Sequence, residues 1–370
     1  MSRVGSVVAR RLAGTTVHCT AEEAVAAAAG CPVVGTHDGS FHCDEAMACG
    51  ILHFTSQFAK PVIVRTRVPA ELEKCVAVVD VGATYEPEKL RLDHHQPEFQ
   101  GTMDTGRAQY KTRLSSAGLV YRHFGKEIIA TLAADLAKEG VIAAAPAGAE
   151  LDLVYDVVYK NFVEHVDGID NGVEQFSPAE QGAKITKNYQ VPTTLSSRVA
   201  SLHTRWNEKG SKAKDNEGFV KAMLLCTTEF CDAVEYVLAS WLPARSLVEA
   251  AVADGEALES SGAIVYMKQF APWKDHLMDI EKERGIEGRS LYVVFADDRG
   301  GGRVQCVPEA DASFKNRKSL PWRGLRDEDL NKASGIDGCV FVHASGFIGG
   351  NKSIDGAIAM AQKAVAMPAE

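Results

Sequence analysis

The chain has 370 residues, 46% of them apolar and 24% charged, an ordinary globular composition long enough for two separate cores. No run of eighteen or more apolar residues occurs, which excludes a membrane-spanning helix, and a net charge of −9 excludes the broad positive field of a protein that coats nucleic acid indiscriminately. The nine cysteines, an odd count without a CxxC pair, fit reduced core thiols inside a cell rather than a disulfide framework or a zinc knuckle.

Residues 1–30 read as a leader: Arg3, Arg10 and Arg11 sit among Ser and Thr, and no acid appears before Glu22, the composition of a mitochondrial presequence. A mitochondrial location is therefore expected, with nucleus and cytoplasm as alternatives. Thr20 caps a short Ala-rich helix with Glu22 and Glu23 in its first turn. From residue 31 the pattern alternates: strand 32–36, helix 45–54 with Asp44 as its cap, strand 61–65, strand 75–81, loop 96–113, a helix opened by Ser115 or Ser116, and helical stretches over 127–139 and 151–169. This predicts an α/β domain over 31–200 with a mostly parallel sheet. A polar connection over 173–216, holding Pro178, Pro192 and Arg198, the last a candidate substrate contact, leads into helices at 218–240 and 244–259, so that 201–260 reads as a helical bridge. Strands at 263–267, 291–295, 303–307 and 339–342 with helices at 274–284 and the C-terminus make 261–370 a smaller α/β domain.

The chemistry concentrates at two strand ends. Gly35-Thr36-His37-Asp38-Gly39-Ser40-Phe41-His42-Cys43-Asp44-Glu45 follows the first buried strand and puts five groups able to hold a metal, His37, Asp38, His42, Asp44 and Glu45, in nine residues. Val79-Asp80-Val81-Gly82 ends a strand that is apolar on both faces, where a carboxylate is costly unless a cation meets it. Leu92-Asp93-His94-His95 adds three more such groups, and adjacent histidines in extended chain point to opposite sides, so one suits a ligand and the other a substrate contact. The set His37, His42, Asp44, Asp80, Asp93, His94 and His95 mixes imidazole with carboxylate, which suits Mn²⁺, Co²⁺, Fe²⁺ or Zn²⁺ and exceeds what one ion needs. Two ions about 3.5–4 Å apart, bridged by Asp80, would clamp the attacking and leaving oxygens of a phosphoryl transfer. Cys43 reads as packing, because the flanking ligands are hard.

Further along, the two hydroxyls of Ser115 and Ser116 at a helix N-terminus are a candidate phosphate seat as well as a candidate cap. Asp167 and Asp170 share a helix face if the turn persists. All four tryptophans lie beyond residue 200, each near a basic residue, as in Arg205-Trp206 and Trp273-Lys274, an arrangement that stacks and neutralises single-stranded nucleic acid.

These motifs, with Leu114-Ser115-Ser116-Ala117-Gly118, Asp167-Gly168-Ile169-Asp170-Asn171-Gly172 and Phe341-Val342-His343-Ala344-Ser345-Gly346-Phe347-Ile348-Gly349-Gly350, resemble the DHH phosphoesterase superfamily, and within it the melanocyte-proliferating-gene branch, from about residue 33 to the C-terminus. The resemblance implies a DHH-type catalytic domain, a last metal carboxylate from Asp170 with Asp167 in reserve, and a glycine-rich substrate motif at His343, Gly349 and Gly350, with Arg303 or Lys352 meeting the phosphate charge. It also implies a 3′ to 5′ exoribonuclease acting on single-stranded RNA or short oligonucleotides, with two divalent ions, Mn²⁺ first and Mg²⁺, Co²⁺ or Zn²⁺ as alternatives. In this reading His37, His42 and Asp44 hold one ion, Asp80 bridges, His94 and Asp170 hold the other, His95 steadies the phosphate, and Asp38 or Asp93 orients the ligand histidines. Alternatives are a phosphatase for pyrophosphate, a dinucleotide or a nucleoside bisphosphate, and a non-catalytic metal-binding regulator; a homodimer is left open.

Overall fold

The computed structural model describes residues 3–176, 189–310 and 315–368, and the chain divides into two compact units, Met1–Ala239 and Ser240–Glu370. In the first unit, strands β1 (Val17–His18), β2 (Val33–Thr36), β3 (Val62–Arg65), β4 (Ala77–Val79), β5 (Tyr85–Glu86) and β6 (Arg91–Leu92) form one sheet in the order β1-β3-β2-β4-β6-β5. Every neighbouring pair is parallel except β5 with β6. Strands β2, β3 and β4 are buried throughout, as their β-branched, unalternating sequences require for a sheet covered on both faces. Helices α1 (Arg3–Leu12), α2 (Ala21–Ala28), α3 (Cys43–Ile51), α4 (Pro69–Leu72), α5 (Ser116–Lys138), α6 (Ala149–Val158), α7 (Glu164–Asp170), α8 (Leu195–Ala200) and α9 (Lys212–Tyr236) complete it.

Three sequence expectations shift here. Residues 3–28 belong to the first unit, because Val4, Val7 and Val8, at the 3–4 spacing of one helix face, are buried. The arginines that look like a presequence lie outside that stripe and pair with α5: Arg11 with Asp135 at 2.6 Å and Arg10 with Glu139 at 2.7 Å. Within the expected loop 96–113, β7 (Thr102–Asp104) and β8 (Gln109–Arg113) form an antiparallel hairpin, turned where Gly106 takes a φ of 78° and donates its N–H to the Asp104 carboxylate. The two stretches expected to either side of residue 125 are one helix, α5. In the connection 173–216, residues 177–188, Pro178 among them, lie outside the described residues.

The expected bridge divides between the units: α9 buries Phe219, Met223, Cys226 and Phe230 in the first, and α10 (Leu242–Leu258) belongs to the second. There β9 (Ile264–Met267), α11 (Lys274–Arg284), β10 (Tyr292–Ala296), β11 (Gly302–Cys306), α12 (Asp327–Ser334), β12 (Cys339–Val342), β13 (Ile348–Asn351) and α13 (Ile354–Ala366) follow in chain order. The sheet runs β12-β13-β11-β10-β9, and only β9 with β10 is parallel. One core packs Tyr292, Val294 and Val304 with Met360 and Ala361 of α13; the other packs Val265 and Val293 with Val248 and Val252 of α10 and Leu277 of α11. No helix among the described residues is long and apolar enough to cross a membrane.

Candidate metal centre

Neighbouring parallel strands deliver the site. In the sheet β2, β4 and β6 are adjacent, and the residues that follow them are His37, Asp80 and Asp93-His94-His95, all at the carboxyl edge where open α/β sheets gather function. Helix α3 adds Asp44 and Glu45 in its first turn, both fully buried. Its cap is His42, in extended backbone, rather than the expected Asp44. Glu45, three residues on, accepts the His42 N–H at 2.8 Å and 2.9 Å. Asp44 is instead turned inward, where it accepts the Ser116 N–H at 3.2 Å.

Asp80 sits between two groups of donors. Its Oδ2 lies 3.2 Å from His37 Nε2, and its Oδ1 lies 3.2 Å from His94 Nε2 and accepts from the Ser116 hydroxyl at 3.2 Å. A backbone φ of 59° turns it there, a left-handed conformation that Asp tolerates better than most side chains. His37 donates Nδ1–H to the Asp38 carbonyl at 3.0 Å, so Nε2 is the ring nitrogen that faces Asp80 and, at 3.1 Å, Glu45. His94 Nε2 also lies 3.3 Å from Asp170 Oδ2 and 3.9 Å from Asp44 Oδ2.

The charge balance calls for a cation. Burial alone would lower the His37 pKa, yet Asp80 and Glu45 push it up to about 10. Burial would raise Asp80, but His37 and His94 hold it well below the usual carboxylate range. Asp44 is raised well above that range by burial and by Asp80, Asp170 and Glu45, and Asp170 is raised by burial and Asp80 while His94 opposes the shift. Asp44 Oδ1 is buried without a hydrogen-bond partner among the described residues, an orphan that a bound cation would satisfy. Three groups of donors each close to within 4.8 Å: His37, His42, Glu45 and Asp80; Asp80, Asp93, His94 and His95; Asp44, His94 and Asp170. This oxygen-rich set with imidazole fits divalent metal ions, and Asp80 and His94 belong to two groups each.

Asp93 uses both oxygens on its own neighbourhood. Oδ1 accepts His94 N–H at 2.7 Å and His95 Nδ1–H at 2.8 Å, and Oδ2 accepts Ala83 N–H at 2.6 Å. It thereby aims the largely exposed His95, and the same hydrogen bond raises the His95 pKa. Asp38 departs from expectation. Its carboxylate points to Arg67 at 3.7 Å and Lys212 at 3.9 Å, and only its backbone carbonyl orients His37.

Of the two helix-face carboxylates, Asp170 reaches the cluster and Asp167 does not. Asp167 accepts Ser115 N–H at 2.9 Å, the Ser115 hydroxyl at 2.7 Å, Gly118 N–H at 3.1 Å and the Tyr159 hydroxyl at 2.9 Å. Gly118 is required there, since a Cβ would lie 2.4 Å from both carboxylate oxygens. The phosphate seat expected at Ser115 and Ser116 is therefore already filled: Asp167 and Asp44 take the N–H groups at the start of α5, and both serines are fully buried.

The remaining expected substrate contacts have other partners. Arg198 Nη2 donates to Glu229 at 2.7 Å. In the second unit Arg303 pairs with Asp297 at 2.6 Å, and its guanidinium lies 5.6 Å from the Phe341 ring centre. Gly349 and Gly350 lie in β13, laddered between β11 and β12, and at Gly349 a Cβ would lie 3.1 Å from Leu320 Cδ1 and from Phe341 O. A Cβ at Gly350 would meet Arg303 Nη1 at 2.5 Å. His343 bonds Ser345 Oγ at 2.9 Å, and Lys352 is exposed. Trp241 and Trp273 are buried, Trp322 packs at the edge of a core, and Trp206 is the tryptophan at the surface, 96% exposed.

Sequence reasoning leaves two residues out and gives a third no assigned ion. Glu45, named among the groups able to hold a metal, is assigned to neither ion; its spacing of three from His42 is the signal. Arg65, ending an otherwise apolar strand, is buried and holds the ligand loop, donating to Gly39 O at 2.7 Å and Asn216 Oδ1 at 3.3 Å, with its guanidinium 4.8 Å from the Phe219 ring centre. Arg113, at the end of β8, donates to the His94 carbonyl, and no sequence signal marks it. Two clefts open onto the centre, of about 780 Å³ and about 450 Å³, and His42, Asp80 and His95 line both.

A family profile described as MYG1 exonuclease, an uncharacterised protein family (UPF0160), matches residues 33–365. The MYG1 exonuclease of Mus musculus is 45% identical over 342 residues, which is 90% of this chain and 85% of that protein. The Homo sapiens MYG1 exonuclease is 43% identical over 342 residues, 90% and 86% of the two chains. A MYG1 protein of Caenorhabditis elegans is 43% identical over 340 residues, 90% and 95%.

Proposed function

The chain belongs to the MYG1 exonuclease family, and we propose that it is a metal-dependent phosphodiester hydrolase that shortens single-stranded RNA from its 3′ end, with the site plan of the DHH phosphoesterases. The observation that carries this reading is Asp80, whose two oxygens face separate groups of buried donors. His37, His42 and Glu45 would hold one divalent ion, Asp44, His94 and Asp170 a second, and Asp80 would share both; Mn²⁺ suits this donor set first. Such ions supply Lewis acidity at phosphorus and a water acidified toward neutrality. The chain's own groups do the rest. Asp93 accepts the His95 Nδ1–H and so fixes the ring on the wall shared by both clefts, where it would contact the phosphate. The Asp38 carbonyl holds His37 in the tautomer that presents Nε2. Burial of Asp44, Glu45 and Asp80 keeps bulk water away from their charges and strengthens their field.

The test uses labelled single-stranded RNA with Mn²⁺. The wild type is expected to shorten it stepwise from the 3′ end, and Asp80→Asn to lose at least about a thousandfold in kcat/KM, on the order of 4 kcal/mol. Absence of shortening, or an Asp80→Asn variant equal to wild type, would refute the reading.

A further inference from the structure

Of the charged and imidazole side chains that line the smaller cleft, the proposed ions take His42, Asp80, His94 and Asp170, and His95 is bonded to Asp93. Among these lining groups Arg113 is left over. Its side chain makes no ion pair among the described residues: Nη2 donates to the His94 carbonyl, and the guanidinium lies 5.8 Å from the Phe99 ring centre. A guanidinium carries five N–H donors and no acceptor. The His94 bond uses one of them, and the buried Nε–H has no acceptor among the described residues. A buried donor left open calls for a physical reason.

Arg113 is also held in register with the metal ligands. Its Nη2 bond goes to the main chain of His94, and its own carbonyl accepts an amide N–H of Asn171, the residue after Asp170, at 2.9 Å. Its backbone pairs across the hairpin with Thr102. Bracing the His94 carbonyl needs a single donor, which leaves the rest of the fork unmatched. A planar fork with spare N–H groups suits the paired oxygens of a phosphate, and fixing it beforehand removes part of the ordering cost of binding.

Resting on the hydrolase reading above, we propose that Arg113 is a phosphate-binding residue of the smaller cleft: its guanidinium receives non-bridging oxygens of a nucleotide phosphate seated beside the His94 side of the metal centre. The phosphate supplies the acceptors that the protein withholds from the fork. Because Arg113 touches His94 through the main chain and not through the imidazole, loss of the guanidinium is felt by the phosphate more than by the metal.

Binding separates the two roles. The full chain, saturated with Mn²⁺, is titrated by calorimetry with adenosine 5′-monophosphate and with ribose 5-phosphate, which lacks the base, and Mn²⁺ affinity is measured in the same proteins. Hydrogen bonds to a charged group predict that Arg113→Gln weakens the nucleotide about tenfold to a hundredfold. Arg113→Lys, which keeps the charge and loses the fork, should lie between, about threefold to tenfold weaker than wild type. Ribose 5-phosphate should rank the three proteins in the same order, while Mn²⁺ affinity stays within about threefold. An arginine that merely braces His94 would give the opposite split, Mn²⁺ affinity falling and nucleotide affinity of the saturated protein holding. That split, a wild type that binds neither phosphate, or an Arg113→Gln variant within about twofold of wild type would overturn the proposal; where Arg113→Gln does not fold, an Arg113→Lys variant within about twofold of wild type does so. RNA shortening, measured in parallel, judges the hydrolase reading separately: Arg113 keeps its assignment if phosphate binding depends on it even where RNA is left intact.

Discussion

At the scale of single residues, two carboxylates three positions apart have opposite tasks. Asp170 lies against His94, while Asp167 closes the start of α5. Asp167→Ala should orphan the Ser115 and Gly118 N–H groups and the Tyr159 hydroxyl and destabilise the fold by about 3 kcal/mol, with Mn²⁺ affinity per folded molecule little changed. Asp170→Ala should do the reverse, weakening Mn²⁺ roughly tenfold to a hundredfold with a chelated-state melting temperature near wild type. Calorimetric metal titration beside thermal melts separates the two. The sequence placed both on one helix face but could not choose between them, because the choice is made by Ser115 and Tyr159, and only the fold shows that Asp167 is occupied. Glu45 is named in the sequence as a group able to hold a metal but assigned to neither ion, because what aims its carboxylate is the His42 amide, a backbone group that carries no letter in the sequence.

His53 carries a pH signature of its own. It is fully buried, its ring lies 2.9 Å from the Thr15 hydroxyl and 3.1 Å from Cys49 O, and burial lowers its pKa to about 4. The unfolded chain binds this proton at about 6.5 and the folded one only near 4, so the stability His53 contributes is whole above 6.5 and drains away as pH falls between those values. The difference is on the order of 3 kcal/mol. Urea midpoints of His53→Gln should vary less than wild type across that window.

At the scale of elements, the strand ends were legible because a buried apolar run terminated by His or Asp is a local pattern, and three such ends fall on adjacent strands. What stayed hidden depends on contacts far apart in the chain. The glycines of β13 read as a phosphate-approach motif, whereas Gly350 makes room for Arg303 on the neighbouring strand. The arginines of α1 read by composition as a presequence, and their ion pairs with Asp135 and Glu139, more than a hundred residues away, are invisible to that reading. Arg65 belongs to the same class, a charge whose partners, Gly39 and Asn216, lie on different elements. Because a lysine cannot reproduce its forked contacts or its stacking on Phe219, Arg65→Lys should loosen the ligand loop. The expected result is Mn²⁺ binding weakened about tenfold with a stability loss of about 1–2 kcal/mol, read by titration and melting.

At the scale of the whole molecule, every metal-capable group found among the described residues lies in the first unit. Metal should therefore stabilise one unit and not the other. Mn²⁺ at a hundred times its dissociation constant adds about 2.7 kcal/mol, which for a unit of this size raises its melting transition by about 5–10 °C. Scanning calorimetry with and without chelator should show one transition move and the other stay. Coincident shifts of both would mean that the two units unfold as one.

The left-handed turn at position 80 sets a limit on redesign. Asp is among the few side chains that accept such a backbone, and lengthening it by one methylene to Glu keeps the charge but loses that tolerance. An exchange that keeps the charge therefore strains the turn, whereas Asp80→Asn changes the charge and keeps a side chain that accepts it. An engineer seeking a wider or narrower gap between the ions would have to move the helices that carry Asp44 and Asp170 and leave this corner untouched.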